Sequence, residues 1–231
     1  LILGRGDPAG VTEMKERYFT PGSIREKAMR MIGELPASCR GRSPYFDPAR
    51  SALLVLDMQR YFLDEGSHAY VPSARTVVPG IRRLSEAFIG IGRPVITTRH
   101  LNTESDAGMM AVWWKDLIAE GQERSEIIDE LAIEGAHVIV KSQYDAFHGG
   151  ALEGILADSG TEQVVITGVL THLCCETTAR SGFVMGYSIF LAVDGTATYN
   201  EAFHRASLLN LSHGFAVPML VGDLIGRIGG R

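Results

Sequence analysis

Six short, unbroken apolar runs, separated by longer segments of helical period, constrain the fold more than any other feature of this chain. In order they are ALLVLDM (52–58), RPVITTR (93–99), AHVIVK (136–141), QVVITGV (163–169), YSIFLAV (187–193) and FAVPML (215–220). Each has strand length and lacks the polar alternation of a half-exposed strand, so each is expected to be buried on both faces. Helices are expected near 74–91, 111–120, 150–158, 175–185 and 201–213. Strands and helices that alternate in this way build a parallel sheet covered by helices. The expected fold is α/β, a three-layer sandwich around a mostly parallel six-stranded sheet. In open sheets of this class, ligands bind beyond the carboxyl ends of the strands.

The first fifty residues differ from the rest. They hold five of the nine prolines (Pro8, Pro21, Pro36, Pro44, Pro48) and no strand-like run. The chain therefore divides into an N-terminal extension, 1–50, and one domain, 51–231. Within the extension, Ser23 and Glu26 have the spacing of a capping box, and Ile24, Ala28, Met31, Ile32 and Leu35 then share one helical face. That stripe can pack on its own domain or on another subunit.

Charge and composition exclude several classes of function. The formal net charge is −5 and no Lys/Arg cluster exceeds a pair, which argues against nucleic acid and against an anionic membrane surface. No apolar run approaches the roughly 18 residues that cross a bilayer. Three cysteines, two of them adjacent, make a disulfide framework improbable. The expected protein is cytoplasmic, acts on a small molecule, forms a homo-oligomer and needs no cofactor. The stretch HGGALEG (148–154) opens a helix but lacks the lysine of a phosphate-binding loop.

Three reactive side chains fall at strand ends: Asp57 after the first run, Lys141 at the end of the third and Cys174 shortly after the fourth. Singly, each has a bland explanation as a cap, a solvated lysine or a small buried hydrophobe. Jointly they form a complementary set at one sheet edge. A helix start at Cys174 and a nearby Lys141 favour the thiolate, and Asp57 can accept and return a proton. A carboxylate near pKa ~3.9 is a poor base for a thiol near ~8.5, so those two effects must narrow the gap. Burial requires that Asp57 and Lys141 pair before substrate arrives. Cys175, about 100° round the helix, is expected to face the packed side.

LLVLDMQRYF (53–62), VIVKSQYDAF (138–147) and VVITGVLTHLCCETTARSGF (164–183), in that order, resemble the isochorismatase-like cysteine hydrolases, a superfamily that includes nicotinamidases. The resemblance implies a catalytic triad of Asp57, Lys141 and Cys174. It also implies a cis peptide between Val169 and Leu170, with the backbone N–H groups of Leu170 and Cys174 turned toward an oxyanion. DMQRYF and GVLTHL look closer to isochorismatases proper, with His172 where their GVYAHIG motif carries histidine, but that motif has glycine at the position of Cys174. Isochorismatases protonate a vinyl ether and need no nucleophile, whereas amidohydrolases need the thiol. The retained cysteine favours hydrolysis of a small amide through a thioester. Isochorismate hydrolysis is the alternative, and a non-catalytic binding protein on the same fold is a weaker one.

Nicotinamidases bind a metal through an Asp-x-His segment, and TTRHLNTESDAG (97–108) lacks that spacing. No metal is expected, and the Asp64 and His68 pair reads as a surface loop. Phe62, Trp113 and Tyr144 are expected to line the substrate pocket with His172. Arg99 and His100 are expected to meet a substrate carboxylate.

Overall fold

The computed structural model describes residues 14–40, 44–114 and 116–230. Six strands, β1 (Ser51–Leu56), β2 (Val95–His100), β3 (His137–Lys141), β4 (Gln163–Val169), β5 (Ser188–Ala197) and β6 (Ala216–Met219), form one sheet in the order β3-β2-β1-β4-β5-β6. Every pairing is parallel. The helices are α1 (Ile24–Gly33), α2 (Arg60–Leu63), α3 (Ala74–Gly90), α4 (Met110–Trp113), α5 (Ala151–Asp158), α6 (Glu176–Val184), α7 (Glu201–Gly214) and α8 (Val221–Gly229). Helix α3 packs with α8, and α6 packs with α7. Among the described residues, no helix is long and apolar enough to cross a membrane.

The central strands are buried on both faces, as their unbroken apolar runs require: every residue of β1 and β4 is buried. Burying each Leu or Val there contributes about 1.5–3 kcal/mol over leaving it exposed. The edge strand β3 departs from expectation, since Val138 and Val140 are exposed. Among the described residues, the connection from β2 to β3 beyond α4 holds short 3-10 turns and no full helix. The same region corrects the helix expected over 111–120, which is confined to Met110–Trp113.

The stripe on α1 packs against its own domain. Ala28, Met31 and Leu35 are buried in the core, with Ile24 and Ile32 against it. The capping box does not form. Ser23 gives its helix no side-chain cap; its hydroxyl is engaged instead by the Thr20 hydroxyl at 2.8 Å and the Thr20 amide at 3.3 Å.

Two features of the fold position the strand ends. The β2–β3 register sets His100 beside Lys141. On the other side, β4 runs so close to β1 that a Cβ on Gly168 would lie 2.1 Å from the Leu56 carbonyl oxygen, and Gly168 has φ +105°. Glycine alone meets both demands.

Candidate active site

Asp57 follows β1 with φ 52°, the left-handed region in which Asp is among the commoner non-glycine residues. The Thr98 hydroxyl fixes that turn. It accepts the Asp57 amide at 3.0 Å and donates to Oδ1 at 2.6 Å. Asp57 Oδ2 then faces the Lys141 ammonium at 2.8 Å and has no hydrogen bond besides.

Lys141 Nζ is the hub of the cluster. It lies 3.5 Å from Cys174 Sγ, 2.9 Å from the Gln143 carbonyl and 3.3 Å from His100 Nδ1. Asn102 donates its amide to the Ser142 carbonyl at 2.8 Å, which turns its Oδ1 toward His100 Nε2, also at 2.8 Å. Nε2 therefore carries the proton of a neutral His100, and Nδ1 accepts from Lys141.

Cys174 belongs to a π-helical turn, Thr171–Cys175, that follows a cis peptide between Val169 and Leu170. The Leu170 carbonyl accepts the amides of Leu173 and Cys175, at 3.0 and 3.2 Å, and passes over that of Cys174. Wide turns of this kind recur at functional sites. Cys175 is fully buried on the core side, with Sγ 4.0 Å from the Thr167 carbonyl.

The electrostatics differ from the thiolate expected at a helix start. Burial raises the Cys174 thiol well above its usual range, and the Asp57 carboxylate raises it further; Lys141 opposes both without cancelling them. Burial alone would lower Lys141, but Asp57 and Cys174 outweigh it and hold the ammonium. Burial, and then Lys141, lower His100. The resting cluster is thus a thiol, a neutral imidazole and one carboxylate–ammonium pair, with no net buried charge. In this arrangement a thiol proton can pass to a carboxylate whose other oxygen is held, and a cation meets the sulfur anion that forms.

Cys174 lies at the floor of a partly enclosed cavity, with about 60 Å³ open to the centre of a water molecule. Phe62, His100, Tyr144 and Leu170 line it, together with Tyr61, Trp114, Leu173 and Tyr199. His68 and Asp116, paired at 2.9 Å, stand at its rim. Three expected pocket residues lie elsewhere. Trp113 is 74% exposed; the chain leaves α4 at the next residue, so Trp114 turns inward and donates to the Tyr144 hydroxyl at 2.6 Å. Arg99 and His100 point to opposite sides of β2, and Arg99 pairs with Glu126 at 2.6 Å. His172 stacks on Phe203 with ring centroids 4.5 Å apart and bonds Thr198 Oγ1. Reasoning from the sequence missed Thr98 and Asn102. Both share the period of two with His100, which was a usable signal.

The residues do not suit a metal ion. Among the described residues, the candidate ligand set is Asp57, His100 and Cys174, whose ligand atoms lie within 4.8 Å of one another. Lys141 Nζ already stands against all three, so a divalent cation there would meet an ammonium. Asp64 and His68 do not pair: Asp64 lies 3.9 Å from Arg124, and His68 goes to Asp116.

The isochorismatase domain family matches residues 51–223. Nicotinamidase 3 of Arabidopsis thaliana is 40% identical over 171 residues, which cover 72% of this chain and 82% of the relative. Enterobactin synthase component B of Escherichia coli (strain K12) is 32% identical over 166 residues, covering 71% of this chain and only 58% of that protein. Among solved structures, a cysteine hydrolase of Pseudomonas syringae pv. phaseolicola 1448A matches with a TM-score of 0.77 and 27% identity, over 82% of this chain and 96% of the other.

Proposed function

The chain belongs to the isochorismatase family of hydrolases, and we propose that it is a cysteine amidohydrolase cleaving a small, uncharged amide through a thioester on Cys174. One observation carries this reading: a thiol, a half-held carboxylate and the Lys141 ammonium meet beneath a cavity whose lining, among the described residues, includes no arginine and no further lysine.

In the proposed reaction the substrate carbonyl carbon meets Cys174 Sγ while Asp57 Oδ2 takes the thiol proton. The oxyanion is held by the backbone N–H groups of Leu170 and Cys174. Asp57 returns the proton to the leaving nitrogen, the C–N bond breaks, and ammonia or an amine departs. Water then enters, gives a proton to Asp57 and attacks the thioester; the C–S bond breaks and Asp57 returns that proton to sulfur. The products are the carboxylic acid and the regenerated thiol. Lys141 meets the charge that moves between sulfur and carboxylate, and Thr98 keeps Oδ1 out of the exchange.

The lining also argues against isochorismate. That substrate is a dicarboxylate, Arg99 is committed to Glu126, and Asp116 at the rim adds a negative charge. Identity of 40% to a nicotinamidase makes aromatic carboxamides the first class to try. We also infer a cytoplasmic homo-oligomer: three free, buried cysteines suit a reducing compartment, and exposed Trp113, Val138 and Val140 suit self-association. The test is a hydrolysis screen of carboxamides and isochorismate with wild type and Cys174→Ala. Amide turnover that disappears in the variant supports the reading. Turnover of isochorismate alone, retained by Cys174→Ala, contradicts it.

A further inference from the structure

Residues 14–19 lie outside the family match, which begins at residue 51, yet they bind both sides of the cavity's mouth. One side is the segment after β5, which contributes Tyr199 to the lining. The Glu16 amide donates to the Tyr199 carbonyl at 2.8 Å, and Asn200 donates its side-chain amide to the Met14 carbonyl at 2.9 Å. Glu16 Oε1 accepts the Glu201 amide at 2.7 Å, and the Tyr18 hydroxyl accepts the Thr198 amide at 2.9 Å.

The other side is the loop before α3, which contributes His68 and Ala69. The Phe19 amide donates to Ser73 Oγ at 3.1 Å, and the Phe19 carbonyl accepts from Thr76 Oγ1 at 3.2 Å. Arg17 reaches the Tyr70 hydroxyl at 3.3 Å. Lys15 touches both walls at once. Its ammonium donates to the His68 carbonyl and lies 4.8 Å over the Tyr199 ring. Buried Tyr18 and Phe19 anchor the segment in the core, so it braces the lining residues His68 and Tyr199 without lining the cavity itself.

We propose that Met14–Phe19 is a strap that sets the width of the active-site mouth, with Lys15 as its specificity-determining residue, restricting the site to small primary amides. The choice of amides rests on the amidohydrolase reading; the width of the mouth does not. Lys15 takes no part in the chemistry. It ties the His68 loop to Tyr199.

The test uses the full chain and two alkylating probes of different size, iodoacetamide and N-phenylmaleimide, with labelling of Cys174 followed by peptide mass spectrometry. In Lys15→Ala the phenylmaleimide-to-iodoacetamide rate ratio should rise about tenfold, the scale on which pocket walls select by size. Lys15→Arg keeps a cation that can donate to the His68 carbonyl and lie over Tyr199, and should restore most of the selectivity. For nicotinamide, KM should rise in Lys15→Ala with kcat within about twofold. An unchanged ratio, equal acceleration of both probes, or no labelling of Cys174 by either probe in Lys15→Ala overturns the proposal. If Lys15→Ala loses its cooperative melting transition, Arg17→Ala, at a side chain 57% exposed, must shift the ratio the same way by less; an unchanged ratio there overturns it as well. A shifted ratio without turnover of any amide leaves the strap standing and removes the amidohydrolase reading.

Discussion

Two buried polar clusters meet at the Thr171–Cys175 turn, and they are built on opposite electrostatic plans. On one side, Asp57 and Lys141 carry formal charges at zero side-chain exposure, paired at 2.8 Å, with neutral His100 and the Cys174 thiol against them. On the other, His204 and His172 are held by hydroxyls: His204 Nδ1 lies 2.9 Å from the Tyr18 hydroxyl and 3.4 Å from Thr171 Oγ1, and His172 bonds Thr198. Burial pushes His172 down to about 4 and His204 down to about 3. Both rings are neutral near pH 7. A buried ion pair seldom stabilises a fold more than apolar side chains of the same volume. Charges kept at one cluster, beside uncharged imidazoles at the other, point to proton transfer at the first and packing at the second.

That contrast can be broken most severely at the charged side. Asp57→Asn and Lys141→Met should each lower turnover by about a hundredfold or more, measured on protein whose circular dichroism is unchanged. Near-normal turnover in either would erase the distinction between the clusters. A smaller effect is expected at Thr98, which holds Asp57 from outside the reacting set. Thr98→Val keeps the shape but removes both hydrogen bonds to Asp57, and turnover should fall about tenfold; Thr98→Ser should recover it.

The histidine side should respond to acid in stability. An unfolded histidine has a pKa of about 6.5, above the folded values of about 4 and about 3. As pH falls below about 6.5, the unfolded chain takes up protons that the folded chain refuses, so stability falls with falling pH until the folded pKa values are reached. The loss at pH 5 should be on the order of 2 kcal/mol per histidine, read from urea unfolding at pH 7.5 and pH 5. His172→Gln should remove one share of that loss. The smallest effect belongs to Cys175→Ala, which should cost about 1 kcal/mol of stability and leave turnover within about twofold. A larger loss of turnover would mean that the two neighbouring cysteines share the chemistry.

The layout of the fold was legible because its signal is local. Unbroken Val- and Ile-rich runs name buried strands, and Asp57, Lys141 and Cys174 stand at their ends. What escaped depends on the path of the chain between strands. Trp113 and Trp114 lie about 100° apart on a helical wheel, and only the end of α4 at Trp113 decides which one turns inward. Arg99 and His100 are separable by the alternation of a strand, but which face meets the cavity depends on β3 and its register. His172 looked like a pocket residue because it neighbours Cys174 in sequence, and the π turn sends it toward Phe203. The thiol's resting state was misread for a related reason. A helix start favours the thiolate, but full burial beside a carboxylate outweighs it.

The central claim is that Cys174 carries the acyl group between the two halves of the reaction. It is tested most directly by mixing the protein with a slowly hydrolysed aromatic carboxamide, quenching in acid within the first turnovers, and mapping the adduct by peptide mass spectrometry. The account predicts a mass increase equal to the acyl group on the peptide that contains Cys174, released by hydroxylamine and absent from Cys174→Ala, which should also be inactive. An adduct on Cys39 or Cys175, or undiminished hydrolysis of the same amide by Cys174→Ala, would contradict it.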